Sequence, residues 1–207
     1  MDNISLTSDI FVSPVVLEGA GVRLEPSHSS HDDDLREALQ SGSLDNLWFT
    51  TVPTPSGLTK ERQRRETLAE LGQMVSFVVI DKACNKAIGM TTYMNIDHVN
   101  RRLEIGSTWY RSSSQRTGIN TETKFLLLRH AFEDCQAIAV EFRTHALNVR
   151  SRRAIERLGA KFDGLLRQHM IMKNGTLRDT AVYSICDHEW PTIKAHLQWL
   201  LDRYHHD

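Results

Sequence analysis

The sequence predicts a mixed α/β domain of the α+β kind, a mostly antiparallel sheet of about seven strands with flanking helices. Three observations predict it. Three β-branched and aromatic stretches follow one another across short turns between Ser76 and Tyr110. A helix, a strand and a second helix come next, and the chain then makes a hairpin at Asn174-Gly175, the strongest two-residue hairpin signal. No repeated βαβ pattern and no GxGxxG is present, which argues against a doubly wound nucleotide-binding sheet.

Taken in order, residues 1–14 lack periodicity and read as a flexible arm ahead of a single domain, 15–207. Val15-Val16-Leu17 and Val22-Arg23-Leu24 flank Glu18-Gly19-Ala20-Gly21 as a short strand pair. Ser30 is placed to cap a helix opening on Asp32, Asp33 and Asp34, acids favoured at a positive helix start. Pro53 and Pro55 mark a loop, after which Thr59 is placed to cap a charged helix closing at Gly72. Strands follow at Ser76–Ile80, Ala87–Asn95 and Arg101–Tyr110, the last alternating Leu103, Ile105, Ser107 and Trp109 with polar partners. A helix spans about Thr121 to Asp134, then a strand Ala137–Thr144 and a short helix Ser151–Leu158 ending at Gly159. The hairpin strands are Leu165–Lys173 and Leu177–Ile185, and Asp187 is placed to cap a last amphipathic helix with Pro191 in its first turn.

Composition narrows the function class. With 25 bases against 26 acids the net charge is −1, which removes the bulk electrostatic case for nucleic acid. No apolar run approaches the roughly 20 residues of a membrane span, and Asp2 stands where a secretory signal would be basic, so a cytoplasmic protein is expected. Cys84, Cys135 and Cys186 form no CxxC, and the ten histidines, His205 and His206 included, form no HExxH, so no metal is expected.

The informative stretch is Trp109-Tyr110-Arg111-Ser112-Ser113-Ser114-Gln115-Arg116-Thr117-Gly118-Ile119-Asn120-Thr121-Glu122, where a strand gives way to a small-residue loop and then a helix. Unsatisfied amides at a helix start favour an anion, and Gly118 presents no side chain to block a phosphate. A second element, Asn148-Val149-Arg150-Ser151, follows a strand and precedes a short helix.

Together these motifs resemble the GNAT family of N-acetyltransferases, in particular its branch of Rim-type ribosomal-protein N-terminal acetyltransferases. The resemblance runs from Val22-Arg23-Leu24-Glu25-Pro26 to Tyr183-Ser184-Ile185. The family's Arg/Gln-x-x-Gly-x-Gly/Ala loop matches at Gln115 and Gly118, with Asn120 in place of the final small residue. Its Asn-x-x-Ser matches at Asn148 and Ser151, and Arg178-Asp179 also resembles this branch.

The resemblance implies an acetyl-CoA site in a cleft between two splayed strands. The pyrophosphate would rest on the amides of Gln115, Arg116, Thr117, Gly118, Asn120 and Thr121. The pantetheine arm would run along the edge of Ser107, Thr108, Trp109 and Tyr110, and Asn148 would hydrogen-bond it. Many family members carry a tyrosine acid in the last core helix; Ile155 stands there, so Ser151, near the thioester sulfur, becomes the candidate acid. Glu104 is the candidate base toward the acceptor amine, through water; the other reading has it pairing with Arg101 or Arg102. The implied acceptor is a protein N-terminal α-amine of the ribosomal type, with a small amine as alternative. A non-catalytic acyl-CoA-binding sensor is the reading from outside the enzyme class.

Arg150, Arg152 and Arg153 could meet the 3′-phosphate of CoA or form a charged helix face, and Arg62, Arg64 and Arg65 read as a solvated face. Trp48 and Phe49 could wall the acceptor pocket or pack as a lid. His145 reads as a structural histidine, and Trp190 and Trp199 leave a homodimer contact open.

Overall fold

The computed structural model describes residues 11–41, 48–50 and 52–204. Its strands are β1 (Leu17–Glu18), β2 (Val22–Pro26), β3 (Met74–Asp81), β4 (Lys86–Asp97), β5 (Arg102–Tyr110), β6 (Ala139–His145), β7 (Lys161–Ile171) and β8 (Leu177–Cys186). The helices are α1 (Asp32–Gln40), α2 (Leu58–Glu70), α3 (Ile119–Arg129), α4 (Val149–Glu156) and α5 (Trp190–Tyr204). One open sheet runs β1-β2-β3-β4-β5-β6-β8-β7. All its pairs are antiparallel except β5 with β6. The mixed α/β expectation holds, with eight strands among the described residues rather than about seven.

Both faces of the centre of the sheet are covered, and alternation along β3 shows how; the edge strand β7 is exposed along most of its length. Phe77 and Val79 enter a large core with Leu126 and Leu127 of α3, Ile155 of α4 and Leu197 and Leu201 of α5. Val78 and Ile80 enter a smaller one with Leu35, Ala38 and Leu39 of α1 and Leu58 of α2. A strand buried on both faces reads as a continuous apolar run, as Phe77–Ile80 does. The arm beyond residue 10 joins this packing: Val12 is buried and Phe11 lies against the larger core.

Several local readings are corrected. A 3₁₀ turn, Ser29–His31, precedes α1, and its cap is the His28 side chain rather than Ser30. Gly57 stands at the N-cap of α2; Thr59 instead accepts from Arg36, and Thr54 caps the turn before it. Cys186 occupies the cap position assigned to Asp187. Arg65 is not solvated. It is 4% exposed, because α2 lies against the sheet and its guanidinium serves Glu61 and the Thr92 hydroxyl. After Arg129 the helix widens into a π turn, His130–Asp134, next to Leu127, whose carbonyl accepts the Tyr93 hydroxyl. An inserted donor at a helix carbonyl is a known cause of such widening.

Candidate active site

The central geometric fact is where β5 and β6 stop pairing. Their parallel ladder covers Arg102↔Ala139, Leu103↔Val140 and Glu104↔Glu141 and then ends. β5 nevertheless continues to Tyr110 and β6 to His145, so a wedge opens between the two strands. β6 is held away by its long antiparallel ladder with β8. β5 follows β4 and carries a bulge there, with Ser107 at φ 48°. An unpaired strand edge of this kind is a template for an extended ligand.

Beyond the wedge, the chain builds the loop that the sequence singled out. Ser112–Ser114 form a 3₁₀ turn, and Arg116 adopts a left-handed φ of 63°. Gln115 donates to the Tyr110 carbonyl at 3.1 Å, and Thr117 donates to the Ser114 carbonyl at 2.8 Å. Gly118 stands at the N-cap of α3, and no side chain caps it. The Thr117 hydroxyl accepts the Ile119 amide at 3.3 Å, while the amides of Asn120 and Thr121 take no side-chain cap and stand at the positive end of the helix, where an anion is favoured. Gly118 itself is in the right-handed region; a Cβ there would come within 3.1 to 3.3 Å of Tyr204. The missing side chain makes room for the end of α5.

The structure brings the two motifs together. Asn148 caps α4 by accepting the Ser151 amide at 3.0 Å, leaving its NH₂ free, and the Ser151 hydroxyl has no partner among the described residues. Arg150 donates to Gln115 Oε1 at 2.6 Å, so α4 and the loop close on one another. Arg157 donates to Thr121 Oγ1 at 3.0 Å and to the Tyr204 hydroxyl at 2.9 Å. Arg157 was missed at the sequence level, though it lies seven residues after Arg150 and so on the same helix face. Arg152 takes a different course, to the Tyr183 hydroxyl and over the Phe162 ring. These residues fit an anionic, extended ligand: strand edge, helix amides and an arginine rim. Trp109 and Tyr110 enter the two opposite cores, so only their main chain can meet that ligand. Ser107 is exposed and Thr108 half-buried.

Glu104 marks the narrow end of the wedge. It is 6% exposed, accepts from Asn95 at 2.7 Å and lies 3.6 Å from Arg143. The expected alternative partners are not used: Arg102 goes to Glu141 at 2.6 Å. A depression of about 140 Å³ beside it is lined by Asn95, Asp97, Glu104, Glu141 and Arg143 among others. Burial raises the Glu104 pKa above the ordinary carboxylate value, against the Asn95 hydrogen bond and the Arg143 charge. A buried carboxylate with a raised pKa is suited to taking a proton.

One further group was missed. Lys124 on α3, 6% exposed, donates to Thr108 at 2.6 Å and to Thr91 at 3.1 Å, and burial lowers its pKa to about 7. Its only signal was a lysine just ahead of the apolar run Phe125–Leu128.

Comparisons with known proteins identify the family. Residues 22–161 match the family model described as Acetyltransferase (GNAT) domain. A GCN5-related N-acetyltransferase from Brucella melitensis is 34% identical, with a TM-score of 0.81, over 92% of this chain and 86% of that one. The Bacillus subtilis (strain 168) protein named "Putative ribosomal N-acetyltransferase YdaF" is 28% identical over 81% of this chain and 90% of its own length. RimJ of Mycobacterium smegmatis, solved in complex with CoA-disulfide, shares the fold at 22% identity and a TM-score of 0.75, covering 92% of this chain and 94% of that one. Family model and relatives agree: the chain belongs to the GNAT family of acetyltransferases and is an N-acetyltransferase.

Proposed function

We propose that the enzyme transfers the acetyl group of acetyl-CoA to the N-terminal α-amine of a protein, of the ribosomal type. The observation that carries the reading is the wedge between β5 and β6, with the α3 amides at one end and buried Glu104 at the other. The Bacillus subtilis relative and the CoA-bound fold neighbour support it.

In this reading the pyrophosphate lies on the first-turn amides of α3 within reach of Arg150 and Arg157. The pantetheine arm follows the β5 edge and meets the free NH₂ of Asn148. The acceptor amine reaches the thioester from the Glu104 side and loses its proton toward that carboxylate through water. It attacks the thioester carbonyl as a neutral nucleophile; the C–N bond forms, the C–S bond breaks, and the nitrogen's second proton passes by way of the Ser151 hydroxyl to the CoA sulfur. An α-amine near pKa 8 needs only about one unit of help at neutral pH, against about three for a lysine side chain. Holding amine and thioester together supplies most of the rate.

The test is calorimetric titration with acetyl-CoA, followed by release of free thiol with N-terminal peptides and with small amines. Binding with thiol release on peptides supports the reading. Release on small amines alone moves the acceptor class, and binding without release on any amine replaces the transferase by a sensor.

A further inference from the structure

His145 ends β6 and is 4% exposed, yet its Nε2 has no hydrogen-bond partner. Its Nδ1 accepts the Leu147 main-chain N–H at 3.1 Å. A ring nitrogen that accepts carries no proton, so the imidazole is neutral with its single proton on Nε2. Burial, then the Arg178 charge, favour that neutral form, with Asp179 opposing them. His145 therefore presents a fixed N–H donor with nothing to receive it, a costly arrangement in a protein interior.

Strand register says where the donor stands. Glu141, Arg143 and His145 alternate onto one face of β6. β8 pairs Thr180 with His145 and Val182 with Arg143, which sets Arg178 on that face too. Glu104 belongs to the same face, since Arg143 reaches it and the Arg178 charge acts on both Glu104 and His145. Above His145 lie Trp48 and Phe49, with ring centroids 5.3 and 5.6 Å from the imidazole. Aromatic rings are weak acceptors, and they leave Nε2 with almost no exposure of its own; Trp48 is half exposed, so a rotamer change of that ring uncovers the donor to an incoming ligand.

We infer that His145 Nε2–H recognises a main-chain carbonyl of the acceptor, between walls made by Trp48 and Phe49 and beside the Arg178 guanidinium. The inference rests on the transferase reading and names its acceptor as a peptide rather than a small amine. The Arg178 charge is set against Glu104, so the neutral donor between aromatic rings suits a neutral carbonyl better than a carboxylate. His145 lies four residues past Glu141, roughly 13 Å along the strand, which is the reach of about four extended peptide residues. The carbonyl it reads belongs about three residues beyond the one that carries the reacting amine. A small amine ends before this corner.

The test compares tetrapeptide amides with the matching single amino-acid amides and alkylamines, for wild type, His145→Phe and His145→Gln. Phenylalanine keeps the aromatic packing and removes the donor; glutamine restores an N–H. In His145→Phe, kcat/KM for tetrapeptides falls on the order of 10-fold, mainly through KM, while small amines keep theirs. His145→Gln recovers part of the loss, and acetyl-CoA affinity stays unchanged throughout. An equal loss for both acceptor classes, or no loss for either, overturns the assignment. Wild type that turns over no amine at all overturns the transferase reading and this assignment with it. Should His145→Phe not fold, the ring ¹⁵N resonances of His145 in wild type carry the test. A peptide-dependent shift at Nε2, absent with alkylamines, supports the contact; identical spectra overturn it.

Discussion

Replacing Lys124 by methionine separates the cost of burying an amine from everything else around it. The Nζ sits among threonine hydroxyls with no carboxylate partner among the described residues, and burial holds its pKa at about 7. The unfolded chain binds a proton there up to the ordinary lysine value, so between the two values the unfolded state carries more protons than the folded one. Folding stability contributed by this site therefore rises with pH across that window. From the two pKa values, wild type gains roughly 2 kcal/mol relative to the variant between about pH 7.5 and about pH 9. Methionine leaves no orphan, because the Thr91 and Thr108 hydroxyls stand 2.8 Å apart and bond each other. Near pH 7 the variant should thus be at least as stable as wild type. Urea unfolding of both proteins at the two pH values gives the difference directly, with other titrations cancelling between them. A difference that stays flat, or that moves against wild type as pH rises, refutes a neutral buried lysine.

Three more perturbations follow from the same contacts. Glu104→Gln should lower kcat by about 10²–10⁴ and remove the acidic limb of the pH–rate profile, whose midpoint in wild type lies above the ordinary carboxylate value; an unshifted profile denies Glu104 a role as base. Gly19→Ala places a methyl against Glu122, whose Oε1 accepts the Gly21 amide at 2.9 Å, and should cost about 1–3 kcal/mol in thermal unfolding. Arg157→Ala should weaken acetyl-CoA binding about 10-fold, more so at low salt, and calorimetry showing unchanged affinity would place the phosphates elsewhere.

The strand meander, the Asn174-Gly175 hairpin and the helix that follows Gly118 were legible because each depends on residues near in sequence: alternation, turn chemistry and a helix start. Caps were less legible, because Ser30, Thr59 and Asp187 each had a competing neighbour one or two residues away. Arg65 and Lys124 were misjudged or missed for another reason. A charged side chain reads as solvated until the sheet it lies against is known, and α2 and α3 both press theirs onto β4.

By itself the sequence determined the order of elements, the glycine-marked loop before α3 and the Asn148-to-Ser151 motif, since local backbone preferences and spacing encode these. Only the tertiary structure decided that β5 and β6 part after Glu104, that Arg150 joins the two motifs, that Gly118 makes room for Tyr204, and that His145 faces Trp48 with an unpaired donor. Each of those facts joins residues at least 30 positions apart in the chain, and such contacts are set by how strands register and helices dock rather than by any local pattern.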